Sequence, residues 1–137
     1  MPRPGPLDEL LERGERLAQQ LPVDEQVELL NGHPRIGAAP STVSALSYRE
    51  QGYDRLPVAD DAAVQERLDR LNEEYERRFG FRFVVFVAGR PRSVIADFME
   101  SRLSATREAE LRRGLSDVFA IARDRARKSA PSPQEAR

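Results

Sequence analysis

The sequence contains no cysteine and a single histidine, and these two shortages remove several kinds of functional site. Without cysteine there can be no disulfide, no thiolate ligand for zinc and no thiol nucleophile. With one histidine, strong metal ligands are limited to carboxylates, and no Asp/Glu spacing matches a calcium loop. We therefore predict that no metal is bound. The lack of cysteine is also consistent with a reducing compartment, and we predict a cytoplasmic location.

Long apolar runs are missing too, as is an excess of charge of either sign. No stretch approaches the ~20 apolar residues of a membrane helix, and the first residues contain no apolar signal-peptide core. Lys and Arg total 22 against 23 Asp and Glu, which gives a net charge of −1 over 137 residues. A balanced surface of this kind has no broad basic field. We expect neither a nucleic-acid nor a membrane partner.

Helical periodicity dominates the residues that are present. Apolar side chains recur at offsets of 4, 7 and 11 between Val64 and Tyr75, which predicts a helix over residues 60–79. The same reasoning predicts other helices near residues 7–17, 94–103 and 106–128, and a short one that contains Val27, Leu29 and Leu30 and ends near Gly32. Further short helices are predicted to begin at Ser41 and Ser47.

These patterns predict an all-α, single-domain helical bundle of about six to eight helices. The bundle should occupy residues 1–128. Residues 129–137 contain two prolines and no apolar pattern, so we expect a disordered tail there.

One apolar run departs from the helical pattern. Residues 81–88 are a nearly continuous stretch of Phe and Val between Gly80 and Gly89, which is typical of a buried strand. No convincing second strand accompanies it, so its backbone N–H and C=O groups would lack ladder partners in a helical protein. A polar heterocycle could satisfy these groups, in which case the segment lines a ligand site. Alternatively, the segment is only the middle of the core, paired with a loop.

His33 is the main candidate for chemistry, because its unperturbed pKa lies near neutrality. Pro34 favours extended backbone at His33 and Gly37 permits a turn, so the imidazole should project from a loop. A lone histidine before proline is more often a structural turn residue. The sequence has no phosphate-binding glycine motif and no nucleophile elbow, which leaves acid–base catalysis without a cofactor as the chemical option.

A second polar motif begins fourteen residues after the histidine. Ser47 and Glu50 fit a capping box, in which the two side chains satisfy the first amides of a helix. That role does not prevent Glu50 and Gln51, which are adjacent in the first turn, from also pointing toward a ligand.

The two motifs together resemble a known family. His33-Pro34-Arg35-Ile36-Gly37 followed by Ser47-x-x-Glu50-Gln51 is similar to the 2-oxo-4-hydroxy-4-carboxy-5-ureidoimidazoline (OHCU) decarboxylases of urate breakdown. Residues 78–85 resemble the family's Phe-Gly-Phe-x-Phe segment, and residues 110–125 resemble its last helix. The likeness extends over roughly residues 20 to 127.

The resemblance implies decarboxylation of OHCU to (S)-allantoin, with no cofactor and with a small-molecule substrate. It implies that His33 and Glu50 are catalytic, and that substrate is bound by Pro34, Ser47, Gln51, Phe83, Val84, Val85 and Arg125. Only the resemblance distinguishes Arg125 from its neighbour Arg123, because arginines at a helix end are ordinarily solvated. The rings of Phe81 and Phe83 are expected to keep the site dry.

Two other functions remain open. A divergent or inactive family member could bind another ureido-type small molecule, or the domain could be a helical interaction module. A catalyst needs His33 and Glu50 to face one cavity, whereas an interaction module needs only an exposed apolar patch. The sequence also leaves a homodimer open.

Overall fold

A computed structural model describes residues 5–37 and 58–129 of the chain. These ranges contain five α-helices and no β-strand. We number the helices in chain order: α1 Pro6–Ala18, α2 Val23–Asn31, α3 Val58–Phe79, α4 Arg92–Arg102 and α5 Arg107–Ser129. No helix in the described ranges has the length and apolar composition needed to cross a bilayer.

The predicted all-α class is confirmed for these residues, but five helices are present there and not six to eight. The difference is the two short helices predicted after Ser41 and Ser47, which fall outside the described residues. Segments of that length depend on packing for helix formation, so periodicity alone is a poor guide to their number. The predicted tail also lies outside the described residues apart from Ser129, which ends α5.

Proline marks three of the helix starts. Pro6 occupies the first turn of α1, where its fixed φ suits the helix and no amide is lost. Pro22 and Pro91 are the N-cap residues of α2 and α4. Acidic residues follow in the first turns of α1 and α2, where they compensate the positive end of the helix dipole.

Helix α5 is the element on which α1 and α2 pack, while α3 packs against α4. Glycine allows two of these close approaches. A Cβ at Gly114 would lie 3.0 Å from Leu30 Cδ2 of α2, and a Cβ at Gly14 of α1 would lie 3.2 Å from the Phe119 ring. The core therefore brings α1 and α2 directly onto α5.

The extended segment, residues 81–88, crosses the middle of this core as predicted. Phe81, Phe83, Val84, Val85 and Val87 are all buried, and the backbone from 82 to 87 is neither helical nor paired in a strand. The glycines that bound the segment both adopt positive φ, +80° at Gly80 and +76° at Gly89, so they supply the turns at which it begins and ends.

Candidate active site

His33 lies in the loop that leaves α2, which we call the His33 loop and define as residues 32–37. Its backbone N–H donates to the Leu30 carbonyl at 3.1 Å, so the Leu29 carbonyl lacks its usual i+4 amide. The imidazole Nδ1 lies 3.3 Å from that Leu29 oxygen. In the Nδ1–H tautomer the ring donates there, and Nε2 becomes the nitrogen that exchanges a proton with a ligand.

Helix α3 holds the second half of the His33 loop. Three of its polar side chains lie on one stripe, because offsets of 7 and 11 residues are close to whole turns. They make three contacts: Gln65 Nε2 donates to Gly37 O at 2.6 Å, Asn72 Nδ2 donates to Ile36 O at 2.7 Å, and Arg35 Nη2 donates to Glu76 Oε1 at 2.7 Å.

Arg82 connects the His33 loop to the extended segment. Its backbone N–H donates to Asn31 Oδ1 at 3.0 Å, and its Nη1 donates to Asn31 O at 3.1 Å and to His33 O at 2.9 Å. The loop and the segment are 49 positions apart in the sequence at this contact. They nevertheless form one continuous surface.

Side chains satisfy one edge of the extended segment. The Val84 carbonyl accepts from Arg113 Nη1 at 3.0 Å, and the Phe86 N–H donates to Asp117 Oδ2 at 3.3 Å. The Phe86 carbonyl accepts from Arg90 Nη2 at 2.6 Å. No strand of the described ranges lies beside the segment. Side chains of α5 and of Arg90, in the turn after the segment, form the hydrogen bonds to its even-numbered residues instead.

The odd-numbered residues present their backbone groups to the other edge, because N–H and C=O directions alternate along extended chain. Within residues 5–37 and 58–129, no group donates to or accepts from the backbone of Phe83 or Val85. These are backbone groups of the kind that a ligand with N–H and C=O groups would bind.

The aromatic rings of Phe81 and Phe83 lie in the core. Both rings are buried, at 2% and 1% exposure, and both pack edge-on against Tyr75. The hydrophobic effect accounts for this position. The contribution of the two residues to a ligand site stays a prediction.

Behind the segment lies a buried ionic network centred on Glu110, whose side chain is fully buried. Its Oε2 accepts from Arg102 Nε at 2.6 Å and from Arg113 Nε at 3.0 Å, and its Oε1 accepts from Tyr75 Oη at 2.7 Å. Arg113 continues through Nη1 to Asp117 at 2.8 Å and stacks over the Phe83 ring at 5.0 Å. This network makes α5 the support of the segment.

The network shifts several pKa values. Burial by itself would raise the pKa of the Glu110 carboxyl, but the hydrogen bonds and charge of Arg113, with the bonds from Tyr75 and Arg102, outweigh it and lower that pKa. Burial and then the Glu110 carboxylate raise the pKa of Tyr75. Burial also raises the pKa of Asp117, which Arg113 only partly offsets. Glu110 is therefore the ionised anchor of the network.

The two arginines near the end of α5 take different directions. Arg123 Nη2 bonds to Glu15 Oε1 of α1 at 3.0 Å, so this arginine faces α1. Arg125 is two positions further on, about 200° around the helix, and so lies on the opposite side of α5. Arg123 therefore points toward α1, whereas Arg125 points away from it.

Three predicted site residues, Ser47, Glu50 and Gln51, fall outside the described residues, and their convergence on His33 stays a prediction. The described positions bring together His33, Pro34 and the extended segment containing Val84. Across the part of the chain that the structure describes, no group of three or more His, Asp or Glu side chains could hold a metal ion.

Sequence reasoning missed the side chains that support the site. Arg82 gave no signal, because an arginine within an apolar run is ordinarily read as a solvated residue. The α5 residues were detectable in principle: Glu110, Arg113 and Asp117 are charged yet lie on the stripe that also contains apolar core positions.

Comparison with known proteins gives a consistent family. The model of the OHCU decarboxylase family matches residues 5–127. An OHCU decarboxylase of Haloferax volcanii is 34% identical over 116 residues, covering 85% of this chain and 68% of that protein. The Mus musculus enzyme of the same name is 34% identical over 104 residues, covering 74% of this chain and 58% of its own length.

A Bacillus subtilis protein, the uric acid degradation bifunctional protein PucL, is 36% identical over 102 residues. The matched part is 74% of this chain but 20% of that protein. The chain thus spans a fifth of the bifunctional relative and between one half and about two thirds of the single-function relatives.

Solved structures agree at the level of fold. A crystal structure of OHCU decarboxylase in the presence of (S)-allantoin superposes with a TM-score of 0.72 at 21% identity, covering 93% of this chain and 84% of that one. A structure of (S)-allantoin synthase gives 0.66 at 20% identity, covering 94% of this chain and 40% of that one. With the family match over residues 5–127, these likenesses show that the chain belongs to the OHCU decarboxylase family.

Proposed function

We propose that this protein is a cofactor-independent carboxy-lyase that converts OHCU to (S)-allantoin in urate degradation. One observation of the structure carries the proposal: the His33 loop lies against the extended segment, joined to it by Arg82. This contact supports a site in which the His33 imidazole transfers a proton to a ureido compound bound by the backbone of the segment. Membership of the OHCU decarboxylase family supports OHCU as that compound.

The reaction asks for two contributions from the site. The bond between the ring carbon and the carboxylate breaks, CO₂ leaves, and the electron pair remains on the ring. Hydrogen-bond donors must stabilise that negative charge. A proton must then reach the carbon from one face, which requires a group whose pKa is near the working pH.

We assign the proton transfer to His33, with Glu50 orienting either the imidazole or the substrate hydroxyl. Pro34 holds the loop in extended backbone beside the substrate. Ser47 and Gln51 are assigned to substrate binding, from the first turn of the helix that the sequence predicts to begin at Ser47.

We assign binding of the ureido and ring amide groups to the segment at Phe83, Val84 and Val85, in which Phe83 and Val85 supply the backbone groups and Val84 is held between them by Arg113. The support is geometric, since Phe83 and Val85 direct their N–H and C=O groups away from the edge that Arg113 and Asp117 occupy. Arg125 supplies positive charge for the developing anion. Its neighbour Arg123 is engaged with Glu15, which favours Arg125 for that role.

The proposal includes a cytoplasmic location, supported by the absence of cysteine, and allows a homodimer. One observation favours an additional interaction role: Leu7, Leu10 and Leu17 of α1 are 49%, 62% and 62% exposed. An exposed apolar face is compatible with a catalytic or a binding-only protein.

The deciding experiment supplies freshly generated OHCU and follows the chirality of the allantoin that forms. We expect rapid formation of (S)-allantoin with the wild-type protein and racemic product at the spontaneous rate with His33→Gln. Racemic product at that rate from the wild type rejects catalysis on this substrate. Binding of a ureido compound without turnover would then identify a divergent or inactive family member.

A further inference from the structure

We propose that Arg82 is a positioning residue for His33, holding the catalytic loop in register with the extended segment. This inference rests on the proposed function for the role of His33 in catalysis. The contact itself, however, is a property of the fold. It can be tested on the imidazole directly, without any substrate.

Arg82 contacts Asn31 and His33 through its backbone and its side chain together. Its backbone belongs to the extended segment and bonds to Asn31 Oδ1 at 3.0 Å. Its side chain reaches back over the same residue, and Nη1 bonds to the carbonyls of Asn31 at 3.1 Å and His33 at 2.9 Å. Both hydrogens of one guanidinium nitrogen are thus used on the two carbonyls that flank Gly32. The orientation of the peptide between His33 and Pro34 is fixed as a result.

The charge of Arg82 is directed at carbonyl groups. Throughout the described ranges no carboxylate pairs with it, and its contacts there are the three bonds to Asn31 and His33. Helix α2 has no basic residue in its own last turn. Arg82 therefore supplies the cation that favours the carbonyl end of α2, from a residue 51 positions away.

This contact also controls the side chain of His33. The Nδ1 contact to Leu29 O depends on the loop keeping its path after α2, because the ring must reach back four residues. If Arg82 releases the His33 carbonyl, the loop can rotate and that 3.3 Å contact is lost. The imidazole then loses the contact that favours the Nδ1–H tautomer.

The kinetic test compares Arg82→Ala with Arg78→Ala and Arg82→Lys. Arg78 is the matched control, because its Nη2 also bonds to a backbone carbonyl, that of Ala105 at 3.0 Å, far from the His33 loop. We expect Arg82→Ala to lower kcat by roughly 10- to 100-fold with a smaller change in KM, since misplacement by about 1 Å can cost that much. Arg82→Lys should recover part of the loss, because a lysine can reach one carbonyl but has no planar fork. Arg78→Ala should retain wild-type kcat.

The second test uses the fact that the protein has one histidine, whose ring signals need no assignment. Nitrogen-15 NMR of the imidazole reports the tautomer of His33 in each variant. We expect the Nδ1–H form in the wild type and in Arg78→Ala, and a shift toward the Nε2–H form in Arg82→Ala. An unchanged tautomer and unchanged kcat in Arg82→Ala overturn the inference. If the wild type shows no turnover, the proposed function fails, and an unchanged ring spectrum in Arg82→Ala by itself overturns the positioning role.

Discussion

Arg113 donates a 3.0 Å hydrogen bond from Nη1 to the backbone carbonyl of Val84, and this bond joins the buried ions of α5 to the extended segment. The same guanidinium bonds to Glu110 through Nε and to Asp117 through Nη1. An extended segment with no neighbouring strand among the described residues is thus held in place by charged side chains. The stability of the core and the geometry of the proposed site depend on one set of contacts.

Replacing His33 or Glu50 with alanine should abolish stereospecific allantoin formation while leaving the protein folded. An acid–base group supplies ~10²- to 10⁴-fold, whereas loss of a helix-capping side chain costs only about 1 kcal/mol of stability. Chiral detection of product and thermal melting of the same samples separate the two effects. A His33→Ala protein that still forms (S)-allantoin at the wild-type rate contradicts the assignment.

Arg125→Ala should impair catalysis far more than Arg123→Ala. Arg123 pairs with Glu15 at the surface of the α1–α5 contact, with 32% and 25% of the side chains exposed, so its loss should cost less than about 1 kcal/mol. The Arg125→Ala replacement removes positive charge from the side of α5 that we propose faces the substrate. We therefore expect a higher KM and a lower kcat/KM. Equal kinetic effects of the two replacements would show that the end of α5 does not contact substrate.

Gly37→Ala should destabilise the protein and Gly32→Ala should not. Gly37 has φ of +84°, and a Cβ there would lie 3.3 Å from Leu68 and Gln65 atoms. Left-handed backbone costs an alanine roughly 1–2 kcal/mol. Gly32 has φ of −74° and no neighbour closer than 3.5 Å, so alanine should be neutral or stabilise by about 0.4–1 kcal/mol. Denaturant unfolding of the pair measures the difference, and equal midpoints would contradict the loop geometry.

Glu110→Gln should be much more destabilising than Glu108→Gln. Removing one partner of a buried ion pair typically costs about 3–5 kcal/mol, and we expect the lower end because Arg102 is 31% exposed. Glu108 is an exposed acidic residue in the first turn of the same helix. Its interaction with the helix dipole contributes less than about 1 kcal/mol to stability. If both variants melt at the wild-type temperature, Glu110 does not anchor the network.

Acid should remove the contribution of Glu110. The pKa of this carboxyl is lower in the folded protein than its ordinary value of 4.5, so the stabilisation is complete above that pH. It is lost as the pH falls below 4.5 through the lower folded-state value. Chemical denaturation at a series of pH values should show the difference between wild type and Glu110→Gln shrinking below pH 4.5. A difference that stays constant to low pH would mean that Glu110 is not held ionised.

Local periodicity was enough to predict the helices of the described ranges. The helix predicted over residues 60–79 runs from Val58 to Phe79, and the one predicted over 106–128 runs from Arg107 to Ser129. Burial of one face requires apolar residues every three or four positions, and this requirement is visible in any short window. The extended segment was visible for the same reason, because it buries both of its faces.

The sequence by itself determined the helical class, the buried segment, the loop position of His33 and, through three motifs in order, the family. Only the tertiary structure decided that Arg82 holds the His33 carbonyl, that Arg113 holds the Val84 carbonyl, and that the rings of Phe81 and Phe83 pack against Tyr75. The two carbonyl contacts join residues 49 and 29 positions apart. A periodic pattern records which face of an element is buried, but a polar contact between distant elements depends on how the whole chain packs.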